Sequence, residues 1–209
     1  MRQTHKRRCM KIQPKNADDS DTDETEDEFS NSIWRNRNYI YFHAEVSIQS
    51  VSRFVRILNE AEIESLTYNM PLFLFIHSSG GNCYAGLSAM DHIKNCRVHV
   101  TTIADGFVAS AATFMLFGGD ERLGMPHCNI LIHQLSTGFF GKYEELVEEM
   151  ENSQKLMSTI CTLYLSTTNM NEETLKQLLK SDVVHDFDAA IELGLITKAY
   201  TKTKYMLSA

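Results

Sequence analysis

No stretch of the sequence approaches the roughly 18 to 20 consecutive apolar residues that a membrane-spanning helix needs, so no membrane span is expected. The basic start, Met1-Arg2-Gln3-Thr4-His5-Lys6-Arg7-Arg8, is not followed by an apolar run. That argues against a secretory signal and predicts a cytoplasmic protein. Cysteine pairs are missing too. Cys9, Cys83, Cys96, Cys128 and Cys161 are odd in number, widely spaced and free of any C-x-x-C, which excludes a disulfide framework or a zinc site of the usual spacing. The eight histidines include no H-E-x-x-H. Neither a metal nor a cofactor is therefore predicted. Phosphate-binding signatures are also lacking: Gly80-Gly81 is followed by Asn82-Cys83 rather than by Lys and Ser or Thr, and there is no G-x-G-x-x-G. The only basic cluster is short, six Lys or Arg within residues 1–15, and residues 17–29 beside it add eight acidic side chains with none basic. With a net charge of −7, a nucleic-acid partner is not expected.

What is present is enough for one core: 209 residues, 43% of them apolar. Residues 1–30 read as a disordered acidic tail, since Asp18 to Glu28 offers nothing to bury, and residues 31–209 as one domain. Tyr39-Ile40-Tyr41-Phe42 is aromatic and β-branched and reads as a strand, with a short second piece at Glu45-Val46. Val51, Phe54, Val55, Leu58 and Ile63 recur at helical spacing. Pro71-Leu72-Phe73-Leu74-Phe75-Ile76 is too short for a helix and fits a central strand buried on both faces. A glycine turn at Gly80-Gly81 and helical spacing from Tyr84 to Ile93 follow it. The unit then repeats: a strand at residues 98–103, a turn at Ala104-Asp105-Gly106, and a helix containing Ser110. After a loop over residues 118–122, Asn129-Ile130-Leu131-Ile132 forms a third strand running into His133. Strands alternating with helices predict an α/β fold around a mostly parallel sheet, with ligands gathered at the carboxyl ends of the strands. The last third is helical. A long helix over residues 142–167 carries Leu146, Val147, Met150, Met157, Ile160, Cys161 and Tyr164 on one side. A helix over residues 172–180 is capped by Asn171. One more, over residues 188–193, ends at Gly194, before a closing strand near Leu195-Ile196 and Tyr200.

Ser110 lies among small residues in Gly106-Phe107-Val108-Ala109-Ser110-Ala111-Ala112-Thr113. It is either a serine tolerated in a buried helix, bonded back to a carbonyl one turn earlier, or a nucleophile. A weakly nucleophilic hydroxyl needs a base, an orienting acid and oxyanion donors. A Gly-Gly turn exposes backbone N–H groups and can act as an oxyanion hole. His133 after three aliphatic residues fits a satisfied core histidine as well as a base, and Asp182 fits a surface or capping residue as well as an orienting acid.

Taken together, the motifs resemble those of the Clp protease proteolytic subunit, ClpP, whose subunits have a crotonase-like α/β fold with a protruding long-helix handle. Phe75-Ile76-His77-Ser78-Ser79-Gly80-Gly81 is similar to the family's strand and Ser-Pro-Gly-Gly turn. Gly106-Phe107-Val108-Ala109-Ser110-Ala111 resembles its Gly-x-Ala-Ala-Ser segment. Met125-Pro126-His127-Cys128-Asn129-Ile130-Leu131-Ile132-His133-Gln134 is similar to its Leu-Pro-Asn segment leading to Ile-His-Gln. Ser181-Asp182 followed by Ala189-Ala190-Ile191-Glu192-Leu193-Gly194-Leu195-Ile196 resembles its Arg-Asp and Glu-Ala-x-x-Tyr-Gly-Leu-Ile segments. The resemblance implies a serine endopeptidase with Ser110 as nucleophile, His133 as general base and acid, and Asp182 as the carboxylate that orients the imidazole. It implies oxyanion donors at the amides of Gly81 and Ala111. An extended polypeptide substrate would lie between Gly80, Asn82 and Cys83 on one side and Gln134, Leu135 and Ser136 on the other. It further implies a homo-oligomeric, heptameric ring assembled through the long helix, with or without stacking into a double ring, fed by a separate AAA+ unfoldase. Ser79 replaces the family's proline, Asn82 and Cys83 its aliphatic residues near the substrate pocket, and Val183 an arginine that helps join two rings. Those departures motivate an alternative, a catalytically idle subunit of a mixed ring. A crotonase-type acyl-CoA enzyme shares the fold and the two-amide hole, and a signal-peptide-peptidase relative would need a lysine base.

Overall fold

The structure, a computed structural model, describes residues 32–201. The acidic tail and Cys9 lie outside the described residues. Strand β1 (Ile33–Asn36) pairs antiparallel with β2 (Tyr39–Phe42). The next strands, β3 (Leu72–Ser78), β4 (Val100–Ala109), β5 (Glu121–Gly124) and β8 (Lys198–Ala199), add to β2 in parallel. Off this path, β6 (Asn129–Leu131) pairs parallel with β4, and β7 (Val184–His185) pairs antiparallel with β6. The sheet is therefore mostly parallel, as the alternation of strands and helices predicts.

Helix α1 (Ile48–Tyr68) starts where Ser47 and Ser50 close a reciprocal cap, and it stops where Asn69 takes a left-handed conformation, φ 51°. It buries Val51, Phe54, Leu58 and Ala61 at a spacing of three to four. Ile63, expected on that face, is 62% exposed. Leu72, Leu74 and Ile76 of β3 point into the main core with Ile40, Phe42 and Phe54. The alternate residues Phe73 and Phe75 face the other way, into a layer with Tyr39, Tyr41 and Tyr200. Phe73 is only partly buried there, so the second face of β3 is less enclosed than its apolar run suggests.

The main correction concerns β4. Residues 104–106 are not a turn between strand and helix; they lie inside a ten-residue strand. Before the bend β4 pairs with β5 through Thr101 to Ala104, and beyond it with β6 through Phe107 to Ala109. Gly106 makes this possible with φ +72°, and a Cβ there would sit 2.7 Å from the His77 Nδ1. The segment read as a loop at residues 118–122 contains the start of β5, a four-residue strand whose Glu and Arg hide its character.

Helix α2 (Cys83–Lys94) and the short α3 (Ala112–Phe117) pack on the core, as does the second half of α4 (Tyr143–Thr167), with Ile160 and Tyr164 buried. The first half of α4 leaves Tyr143, Leu146, Val147 and Met150 exposed, next to Phe139 and Phe140. Asn171 caps α5 (Glu172–Leu178) through Thr174 N, 2.8 Å, and α6 (Phe187–Glu192) is followed by Gly194 at φ +75°.

One histidine cluster carries a pH prediction. His43 Nε2 lies 3.4 Å from Asp105 Oδ2, its ring stands edge-on to Trp34 and Tyr41, and His77 approaches from β3. Burial pushes the His43 imidazole below its usual value of 6.5; Asp105 acts against that shift and His77 adds to it. Burial also lowers His185, with Asp186 acting against it. A depressed histidine stays neutral in the fold while the unfolded chain takes up its proton, so its stabilising contribution is present above pH ~6.5 and is lost as the pH falls through the folded value. Urea denaturation is expected to show lower stability at pH 5.5 than at 7.5, with a shallower pH slope in His43→Gln.

Candidate active site

Ser110 sits on the hinge between β4 and α3 with φ +54°, a left-handed conformation uncommon for a residue with a Cβ. Its neighbours hold it there. Its N–H donates to Leu131 O at 2.9 Å, and its carbonyl accepts from Thr113 N at 3.0 Å and Thr113 Oγ1 at 2.6 Å. Gly80 packs directly beneath: a Cβ at Gly80 would lie 2.6 Å from both Ala109 O and Ser110 Cβ. Gly80 and Gly81 adopt φ +92° and +141°, which only glycine accepts readily.

The Gly81 peptide is fixed by a short parallel bridge, with Val46 N donating to Gly80 O at 2.8 Å and Asn82 N donating to Val46 O at 2.7 Å. Glu45-Val46, expected as a strand fragment, thus serves as a brace for this turn. The N–H groups of Gly81 and Ala111 themselves donate to no acceptor among the described residues. Two amides left free beside a serine are the donors that an oxyanion would need.

A cavity of about 170 Å³ brings Ser110, His133, Gly81 and Cys83 together with Gln134, Leu135 and Ser136. Its apolar part is formed by Phe114, Ile160 and Tyr164. Asn82 lines an adjoining cavity of about 330 Å³ with Cys83, Leu135 and Ser136, and its Oδ1 accepts from Ala85 N at 2.9 Å to cap α2. Burial raises the Cys83 thiol, which keeps it protonated and a poor competitor to the serine.

His133 leaves β6 directly, behind the buried Ile130 and Ile132. Asp182 approaches from β7. The β6–β7 register pairs Ile130 with His185 and Leu131 with Val184, and continued by two residues it sets His133 opposite Asp182. Gln134 N also donates to Leu179 O at 2.9 Å, which anchors the two segments to each other. The side chains do not meet: among the described residues, the histidine–carboxylate pairs within 4.0 Å are His43–Asp105 and His99–Asp120. Asp182 is exposed. Ser110, His133 and Gly81 therefore share one cavity, with the Ala111 amide next to Ser110 in sequence and Asp182 outside the cavity lining. Among the described residues no group of three or more His, Cys, Asp or Glu is arranged to hold a metal ion.

A sequence model described as Clp protease matches residues 21–203. The chain belongs to the Clp protease family. Among its relatives, an ATP-dependent Clp protease proteolytic subunit of Ostreococcus tauri is 39% identical over 127 residues, 60% of this chain and 64% of that one. The chloroplastic ATP-dependent Clp protease proteolytic subunit 1 of Arabidopsis thaliana is 29% identical over 79% of this chain and 85% of its own length. The match spans about three fifths of the length of several of these curated relatives. A solved structure, a point mutant of ClpP1 from Listeria monocytogenes, superposes with a TM-score of 0.71 over 86% of this chain and 96% of that one, at 20% identity. The crotonase-like ClpP fold expected from the motifs is the fold of this Clp-family chain.

Sequence reading did not find Thr113, Phe114 and Ile160 at the site, and it placed Tyr164 only on an apolar helix face. Tyr164 lies 51 residues from its partner Thr113, 2.7 Å away, a contact that no local periodicity can signal.

Proposed function

We propose that this Clp-family protein is a serine endopeptidase that cleaves unfolded polypeptides through an acyl-enzyme. The observation that carries this reading is Ser110 in a left-handed turn, sharing one cavity with His133 and the unpaired amide of Gly81, with the unpaired Ala111 amide adjacent in sequence. His133 takes the proton of Ser110 Oγ as it attacks a peptide carbonyl, and Asp182 orients and stabilises the imidazolium. The oxyanion is held by the amides of Gly81 and Ala111. His133 then protonates the leaving amine, and a water molecule, deprotonated by His133, releases the acyl group from Ser110. The substrate lies extended between the turn at Gly80, Asn82 and Cys83 and the irregular segment Gln134, Leu135 and Ser136. With Phe114, Ile160 and Tyr164 as walls, the cavity accepts an uncharged side chain.

The exposed apolar half of α4, with Phe139 and Phe140 beside it, supports self-association, since such a patch is costly to leave in water; the family resemblance gives that assembly the form of a homo-oligomeric ring, a heptamer alone or stacked in two layers. Folded substrates would need an AAA+ unfoldase supplied by another chain. The described cysteines are all free thiols, which suits the cytoplasm or a comparably reducing plastid stroma. No helix among the described residues is long and apolar enough to cross a membrane.

One observation favours a second reading, an idle subunit of a mixed ring: His133 and Asp182 are not in contact. Hydrolysis of a fluorogenic peptide and of an unfolded protein by the purified homo-oligomer decides between the two. The peptidase reading expects turnover that disappears in Ser110→Ala; an assembled wild-type ring without turnover would support the idle subunit.

A further inference from the structure

The carbonyl of Ser110 and the N–H of Ala111 belong to one planar peptide unit, so whatever holds that carbonyl also aims that N–H. Thr113 holds it twice, through its amide at 3.0 Å and its hydroxyl at 2.6 Å. The same hydroxyl lies 2.7 Å from Tyr164 Oη. Because a carbonyl only accepts, the single hydroxyl proton of Thr113 is committed to Ser110 O. Tyr164 must then donate to Thr113 Oγ1. The direction of this two-step relay is thus fixed by donor count alone.

Both residues are out of water, Thr113 at 0% and Tyr164 at 1% exposure. Burial raises the Tyr164 phenol far above its usual value, so it remains a donor at any working pH. The Tyr164 ring is clamped edge-on by Phe114 and Phe117 at 6.2 and 5.5 Å, and Tyr164 is one of the residues around the cavity that holds Ser110 and His133. A threonine bonded back to a carbonyl one turn earlier is common in helices and carries nothing alone. Here the bonded carbonyl is that of a residue at φ +54°, and the hydroxyl is itself gripped from the long helix.

We propose that Thr113 and Tyr164 are positioning residues of the peptidase: the relay from α4 through Tyr164 and Thr113 locks the Ser110–Ala111 peptide so that the Ala111 N–H points at the developing oxyanion. The assignment rests on the peptidase reading of Ser110. It also ties the amide's orientation to helix α4, whose other half carries the exposed apolar patch.

The test compares the wild type with Thr113→Val, Thr113→Ser, Tyr164→Phe and the double variant Thr113→Val/Tyr164→Phe, each first shown to be folded and assembled. Losing an oxyanion donor outright costs about 100- to 1000-fold in rate; a misaimed one is expected to cost at least about tenfold. Thr113→Val should lower kcat by that factor with KM unchanged, Thr113→Ser should restore it, and Tyr164→Phe should fall between. The double variant should be no slower than Thr113→Val, because Tyr164 acts only through Thr113. A peptide aldehyde, which forms a tetrahedral adduct with Ser110, should bind Thr113→Val more weakly by a similar factor, whereas the matching peptide alcohol should bind both proteins alike. Equal kcat and equal aldehyde affinity in wild type and Thr113→Val would overturn the assignment, as would equal losses for aldehyde and alcohol. A wild type that neither hydrolyses peptide nor binds the aldehyde would instead remove the peptidase reading on which the assignment rests.

Discussion

His133→Ala is expected to lower kcat by roughly four to six powers of ten while leaving the fold in place, because a serine hydroxyl without a base is almost inert. The imidazole is partly exposed at the end of β6 and makes no hydrogen bond among the described residues, so its removal leaves no buried partner stranded. Ile130 and Ile132, at 0% and 1% exposure, keep the strand anchored without it. KM for a peptide should change little, since the imidazole acts on a proton rather than on the substrate's side chains. Under the proposed peptidase reading, in which Asp182 orients His133, Asp182→Asn should also be slow, because the amide favours the wrong tautomer of His133. Steady-state kinetics and thermal melts on the same preparations check this. Loss of folding in His133→Ala would identify the residue as a core histidine.

Gly80→Ala is also expected to be damaging, through a different route. The added methyl would lie 2.6 Å from Ala109 O and from Ser110 Cβ and 3.1 Å from Ala111 N. It must displace Ser110, the Ala111 amide or its own turn. The φ of +92° adds backbone strain of about 1–3 kcal/mol for a residue with a Cβ. A shift of about 1 Å at the reacting atoms already costs about 100-fold. Turnover should therefore fall by at least that factor together with a lower melting temperature, whereas His133→Ala should reduce turnover alone. A Gly80→Ala protein with wild-type rate would mean that Ser110 does not sit over this glycine.

The contrast between the two variants reflects what the chain discloses at different ranges. Features written within a few residues were legible: the apolar run of β3, the Gly80-Gly81 turn, the cap at Asn171 and the stop at Gly194 all stand where local chemistry puts them. Ser110 alone was ambiguous, and only the order of the motifs around His133 and Asp182 favoured a nucleophile. The bend at Gly106 was misread because a glycine that ends a strand and a glycine that lets one strand change partners look alike until β5 and β6 are in view. Strand β7, two residues long, has no periodicity to detect. The apolar side of α4 was legible, but not its division into a packed half and an exposed one, which depends on what lies against it.

The central claim, that Ser110 is an activated nucleophile, is tested most directly by a fluorophosphonate probe with peptide-level mass analysis of the product. The account predicts one covalent adduct, on the peptide containing Ser110, in the assembled wild-type protein, and none in Ser110→Ala. An assembled wild type that remains unlabelled, or an adduct on another residue that persists in Ser110→Ala, would contradict it.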